Sequence, residues 1–111
     1  MQNTAFQHAG KQDWQTVAPG VERKIMGYDK SLMMVQVRFA AGAVGAPHSH
    51  IHVQATYVAA GTFEVTIDGA TQVLQEGDSF FVAPNLVHGV LCREAGLLID
   101  VFTPCREDFL D

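Results

Sequence analysis

Residues 45–61 read GAPHSHIHVQATYVAAG and carry His48, His50 and His52 on alternate positions, with Gln54 two residues further on. In an extended chain, side chains two, four and six residues apart share a face. The spacing therefore predicts that His48, His50 and Gln54 point the same way, and His52 with them unless a bulge intervenes. Two imidazoles on one strand face can reach a single ion, and a third ligand then has to come from a neighbouring strand. His88, in APNLVHGV, is placed to open a strand after a turn and is the candidate. An isolated H-x-H pair is a weak signal, since such pairs are more often incidental. The competing reading is a polar strand edge or a metal-free pocket.

A second group of candidates lies in GLLIDVFTPCREDF, residues 96–109. Alternation places Leu98, Asp100 and Phe102 on one face, Ile99 and Val101 on the other. A carboxylate in so apolar a run is either the partner of a buried arginine or a working acid/base. Burial raises its pKa toward the range useful for proton transfer. Phe102 shares the face, as a pocket wall or as plain core. Arg106 follows Pro104 and is either an exposed terminal arginine or a planar fork able to grip a carboxylate through two parallel hydrogen bonds.

Strands must position these residues, and strands are what the chain offers. In LMMVQVRFA, Met33, Val35, Val37 and Phe39 alternate with Met34, Gln36 and Arg38, a period of two. Turn signals recur at Ala41-Gly42, Ala60-Gly61, Asp68-Gly69, Glu76-Gly77-Asp78, Pro84-Asn85 and Glu94-Ala95-Gly96. Short apolar, β-branched or aromatic runs separate them: TFEVTI, TQVLQ, SFFVA, GVLC and LLIDVFT. Asp68-Gly69 between two alternating runs signals a hairpin. Many short strands at this spacing predict an all-β sandwich or barrel with no helix longer than one turn. Residues 1–20 are polar, end in Ala18-Pro19-Gly20 and are expected to form an arm leading into a barrel over residues 21–111. His8 lies in that arm and is expected to be solvated.

With 111 residues the chain is long enough for one core and too short for two. Hydrophobic residues make up 48% and charged residues 17%, a globular composition that argues against disorder. The formal charge of -5 and the lack of a basic stripe argue against nucleic acid as a partner. An acidic substrate would be repelled at long range and needs a local cation. No apolar run approaches the roughly 18 residues of a membrane span. The start, MQNTAFQHAGKQDWQ, lacks a signal-peptide core, so a cytoplasmic protein is expected, with Cys92 and Cys105 as free thiols.

Two spaced motifs join these candidates. Gly42, His48, His50, Gln54 and Gly61 follow the pattern G-x5-H-x-H-x3-Q-x6-G, and GDSFFVAPNLVH, residues 77–88, forms the second. Together they resemble the cupin superfamily, whose motifs are G-x5-H-x-H-x3/4-E-x6-G and G-x5-P-x-G-x2-H-x3-N. Gln54 stands in place of the family glutamate. Ala83 stands at the family proline with Pro84 one place later, Asn85 replaces the glycine, and Cys92 replaces the asparagine. The resemblance implies an all-β, single-domain cupin, a double-stranded β-helix or jelly-roll barrel. It implies one divalent transition metal, Ni, Zn, Fe, Mn or Co, held by His48, His50, Gln54 and His88. A neutral amide in place of a carboxylate leaves the ion its full double charge. His52, which the motif does not use, is assigned to the pocket wall or to a position behind the ligands, with direct ligation of the metal as the alternative.

VERKI (21–25), MMVQVRF (33–39), HSHIHVQ (48–54) and the tail D-x-F-x3-R, here Asp100, Phe102 and Arg106, narrow the likeness. They resemble the small cupins of pectin and alginate breakdown, which linearise 4,5-unsaturated uronates to 5-keto 4-deoxyuronates. The implied partner is a small anionic sugar. Asp100 and Arg106 would be catalytic, with Phe102, Arg106 and His52 against the substrate. Open sheet edges on a barrel this small are often covered by a second copy, so a homodimer is expected. Two other readings of the same residues are a metal-dependent cupin oxygenase acting on a small acid or thiol, and a non-catalytic sugar- or metal-binding cupin.

Overall fold

A computed structural model describes residues 2–110. Eight strands account for nearly all the regular structure: β1 (Gln15–Ala18), β2 (Val21–Tyr28), β3 (Met33–Phe39), β4 (Val44–His48), β5 (Val53–Ile67), β6 (Ala70–Gln75), β7 (Ser79–Val82) and β8 (His88–Thr103). The only helical pieces among the described residues are two three-residue 3-10 turns, Ala9–Lys11 and Glu107–Phe109. β1 pairs antiparallel with β2, so part of the N-terminal arm is hydrogen-bonded to the body of the fold.

Two long central strands make the barrel. β5 and β8 pair antiparallel along nearly their whole length, from Val53 opposite Thr103 to Ile67 opposite His88. Their halves serve different sheets. The first half of β5 pairs with β7 and the second half with β6. The first half of β8 pairs with β4 and the second with β3. The two sheets thus share bent strands and close on one interior, a barrel as the strand pattern predicts and the jelly roll that the family resemblance implies.

The bends correct one detail of the sequence reading. Ala60-Gly61 and Glu94-Ala95-Gly96 look like turns between strands, yet both lie inside continuous strands. The pairing register shifts between Val58 and Phe63, marking an irregular bulged crossing. Gly61 has φ +86°, and a Cβ on Gly96 would overlap the Ala60 backbone carbonyl. The glycines allow two backbones to cross closely at the bend. Asp68-Gly69, by contrast, is the turn its composition signals: both residues have positive φ, 48° and 84°, and they close the β5–β6 hairpin.

Alternation on β3 is as read. Met33, Val35 and Phe39 are buried, and Met34 is exposed. The core divides into two clusters. One gathers Val21, Phe39, Val58, Phe63, Val65, Cys92 and Leu98, with the Phe39 and Phe63 rings edge to face at 5.3 Å. The other gathers Met33, Val35, Phe102 and Cys105. Both cysteines are buried and free.

Gly96→Ala should test the crossing. A methyl group there meets backbone rather than a movable side chain, so roughly 3 kcal/mol of stability should be lost. Chemical denaturation of the purified variant checks this, and wild-type stability would show that the two strands can separate at the bend without cost.

Candidate metal centre and cavity

Two strands and the bend between β4 and β5 bring the histidines together. His48 ends β4, His88 opens β8, and the two lie opposite each other in the β4–β8 register. His50 comes from the short bend between β4 and β5 rather than from a strand. The expectation of one extended run from His48 to Gln54 is therefore corrected: residues 49–52 form a turn, and only Gln54 lies on β5. The turn is fixed from outside, because the Asn85 backbone N–H donates to the His50 carbonyl at 2.7 Å. Asn85 has φ +67°, the left-handed conformation that the family glycine would adopt and that asparagine tolerates. The substitution in the second motif is thus conformationally conservative.

Each imidazole is held by a backbone carbonyl two residues away. His48 Nδ1 meets Ala46 O at 2.8 Å, His50 Nδ1 meets His52 O at 2.9 Å, and His88 Nδ1 meets Leu86 O at 2.9 Å. A carbonyl only accepts, so each Nδ1 carries the proton and each Nε2 a lone pair. Burial, the largest cause, lowers the pKa of His50 and of His88, and neighbouring positive charges push the same way. Both are neutral at pH 7. Ligand atoms of His48, His50 and His88 lie within 4.8 Å of one another.

Gln54 completes the ring, with its Oε1 3.0 Å from His50 Nε2. With His50 Nδ1 protonated, these are two acceptors facing each other. His88 Nε2 is buried with no hydrogen-bond partner among the described residues. Lone pairs converge with no donor between them, which suits a cation. Ligands side by side at about 2.1 Å from one ion lie roughly 3 Å apart. The residues present thus fit a divalent ion, with His48, His50, His88 and Gln54 available to hold it.

The amide of Gln54 is oriented from behind. Its Nε2 donates to Thr56 Oγ1 at 2.9 Å, and Thr56 Oγ1 donates to Asp100 Oδ1 at 2.6 Å. Thr56 is only 2% exposed. Asp100 lies opposite Thr56 in the β5–β8 register, and its accessible surface opens on a cavity of about 210 Å³. Burial pushes its carboxyl up to about 6, against the opposing pull of the Thr56 hydroxyl, Arg106 and His48. No arginine forms an ion pair with Asp100 among the described residues, so its setting is that of a poised carboxyl rather than a structural salt bridge.

The cavity wall includes His48, Gln54, His88, Asp100, Phe102 and Arg106. Arg106 is 9% exposed, not a loose terminal residue. Its fork is in part filled: Nε and Nη2 donate to Asp108 Oδ1 and Oδ2 at 3.1 and 2.9 Å. Its guanidinium also sits over the rings of Phe109 and Phe102, 4.2 and 5.0 Å from their centroids. His52 stands behind His50, with ring centroids 5.4 Å apart, and 6.5 Å from Phe102. Its Nδ1 is buried against the Cys105 backbone without a well-shaped hydrogen bond. His52 is not one of the converging three. His8 is exposed, far along the chain from this centre.

One residue escaped the sequence reading. Arg23, on β2, lines the same cavity and stacks over Phe109 at 3.8 Å. The signal was present in VERKI: Val21, Arg23 and Ile25 share the inward parity, which puts an arginine where alternation reserves an apolar residue.

Residues 35–102 match the family described as the cupin domain. The chain belongs to the cupin family. Among curated proteins, the pectin degradation protein KdgF of Dickeya dadantii is 50% identical over 99 residues, covering 87% of this chain and 90% of that protein. Among solved structures, an RmlC-like cupin from Shewanella frigidimarina superimposes with a TM-score of 0.95 at 42% identity, covering 97% of each chain. KdgF from Halomonas sp. gives 0.92 at 41% identity, covering 96% of this chain and 99% of that one.

Thr56→Val keeps the shape and removes the hydroxyl that orients Gln54. Loss of such an outer contact typically weakens metal affinity about 10–100-fold. Chelator competition with zinc or nickel should show a drop in this range, restored by Thr56→Ser. Unchanged affinity in the valine variant would mean that Gln54 needs no orientation.

Proposed function

We propose that this cupin is a metal-dependent enzyme that linearises 4,5-unsaturated uronates, the monosaccharides lyases release from pectin or alginate, to 5-keto 4-deoxyuronates. The observation that carries the reading is Asp100, a carboxyl poised near neutrality in the same cavity as two of the converging histidines, His48 and His88, and two guanidinium groups. The 50% identity to a protein of pectin degradation supports the pathway.

The reaction needs little more than these groups. In the cyclic substrate the ring oxygen joins C1 to C5 of the C4=C5 alkene. Opening removes the proton of the C1 hydroxyl, forms the C1 carbonyl and breaks the bond from C1 to the ring oxygen, leaving an enolate at C5. A proton added at C4 gives the ketone. One proton leaves and one arrives, and nothing is oxidised or reduced. A single carboxyl that takes and returns a proton suffices, and a value near 6 suits both halves. Phe102 offers a wall for the ring, with His52 beside it, and Arg106 adds positive charge for the substrate carboxylate. A divalent ion held by His48, His50, Gln54 and His88 would supply charge for the oxygen that becomes the enol. The neutral Gln54 leaves that charge undiminished. A cytoplasmic setting agrees with two free thiols.

Purified protein should abolish the alkene absorbance of a lyase-generated unsaturated monouronate without consuming oxygen. Oxygen uptake would favour an oxygenase, and a complex with unchanged absorbance a binder. Asp100→Asn should cut the rate by ~10²–10⁴-fold with metal content retained. As pH falls through about 6 the carboxylate takes up its proton, so the wild-type rate should decline on the acid side. A bound cation favours the charged form and moves that limb lower. The groups facing Asp100 are the Thr56 hydroxyl and, at longer range, Arg106 and His48. Full turnover by Asp100→Asn would reduce Asp100 to a structural partner.

The same reading includes a homodimer. On the outer side of the sheet formed by β3, β8, β5 and β7, Phe81, Tyr57 and Met34 are 61%, 49% and 40% exposed beside Ile99 and Val101. A second copy would cover this apolar face. Light scattering should return a dimer mass for the wild type and a monomer for Phe81→Glu, whereas a monomeric wild type would remove the dimer from the proposal.

A further inference from the structure

Arg23 occupies a position that a barrel of this kind fills with an apolar side chain. Its neighbours of the same parity pack into the core, Val21 in one cluster and Ile25 against the other. An inward arginine is costly unless something answers its charge. Among the described residues the ion pairs are Arg38–Glu22, Arg93–Glu64 and Arg106–Asp108, and none includes Arg23. Its Nε donates to Gln15 Oε1 at 3.0 Å, and Gln15 lies opposite Arg23 in the β1–β2 register. Phe109 supports the guanidinium plane. One edge of the fork is thus anchored, and its Nη1–Nη2 edge has no acceptor among the described residues. Arg106 is in the reverse state, with Asp108 filling its Nε–Nη2 edge. Both arginines line the cavity that contains Asp100.

We infer that Arg23 receives the carboxylate of an acid sugar in this cavity through its unfilled edge, while Arg106, neutralised by Asp108, is the lesser anchor. The inference rests on the acid-sugar reading of the site and adds the residue that selects for the acid. Partial burial, first, and like charge from Arg106 disfavour an unanswered cation at position 23, against a smaller opposing pull from Asp108, and a ligand carboxylate relieves both. A neutral sugar leaves the guanidinium unpaired, which makes the cavity selective as well as attractive.

The probes are D-galacturonate and D-galactose, which carry no C4=C5 alkene, titrated by NMR into zinc-loaded and metal-stripped protein. In both forms the wild type should bind galacturonate at least about tenfold more tightly than galactose, as expected for a charge-assisted bond. Arg23→Met should lose that preference and bind galactose much as before, and Arg106→Met should retain more of it. Wild-type preference in a folded Arg23→Met overturns the inference, as does a wild type that does not discriminate. Should Arg23→Met not fold, Arg23→Lys decides: galacturonate affinity at least about threefold weaker supports the fork, and wild-type affinity overturns it. Failure of the wild type to turn over an unsaturated uronate, with this selectivity intact, would count against linearisation alone. Turnover with carboxylate binding indifferent to Arg23 would count against Arg23 alone.

Discussion

Four acceptor atoms converge at one end of the barrel with no donor among them, and much of the architecture can be understood as what makes that tolerable. Three backbone carbonyls, those of Ala46, His52 and Leu86, each claim the Nδ1 proton of an imidazole and so leave a lone pair on the far side of the ring. In the absence of a cation this arrangement leaves His88 Nε2 buried without a partner. Lone pairs gathered in this way repel one another unless a cation lies between them. The fold brings them together because β4 and β8 meet at His48 and His88, while the turn carrying His50 is tied to Asn85 in the turn that precedes β8.

Gln54 is explained by what it donates as well as by what it presents. A glutamate would also offer an oxygen to an ion, but it could not donate to Thr56. The Thr56 hydroxyl has one proton and already gives it to Asp100. A carboxylate on each side of that hydroxyl would leave one of them without a donor in a buried setting. The amide therefore serves two neighbours at once, keeping the ion site cationic and letting Asp100 keep the Thr56 proton. Asp100, the proposed acid/base, and Gln54 are joined by two hydrogen bonds through a single buried threonine.

Much of this was legible in the chain. Period-two alternation marked β3 and the face shared by Leu98, Asp100 and Phe102, and Asp68-Gly69 marked its hairpin. The glycines at 61 and 96 misled because a glycine that admits a neighbouring backbone looks, in one dimension, like a glycine that turns the chain. Residues 48–54 misled for a related reason. Alternate spacing suggests a strand, but the pull that bends residues 49–52 comes from Asn85, more than thirty positions away. Neither reading of Arg106, exposed terminal residue or available fork, includes Asp108, because that residue lies two positions on in a helical turn of three residues that no periodicity reveals. Arg23 was missed although its parity was visible, because a single charge among alternating residues signals something only when the opposite face is known to be solvent.

With a divalent cation bound, the charge of the cavity would be opposite in sense to that of the whole chain, and the separation would have a physical use. An excess of five negative charges over the molecule keeps other anions from collecting at its surface. Inside, Arg23 and Arg106 stand against Asp108 and Asp100, and His50 and His88, kept uncharged by burial, with a neutral amide would leave a bound cation its full charge. Long-range repulsion decays within about 10 Å in ordinary salt, whereas charges inside the cavity are far less screened. An anion small enough to enter thus crosses a weak outer field and meets a strong inner one. The proposed selectivity for an acid in an acidic protein would follow from that difference in screening, with burial of the cations as its structural requirement.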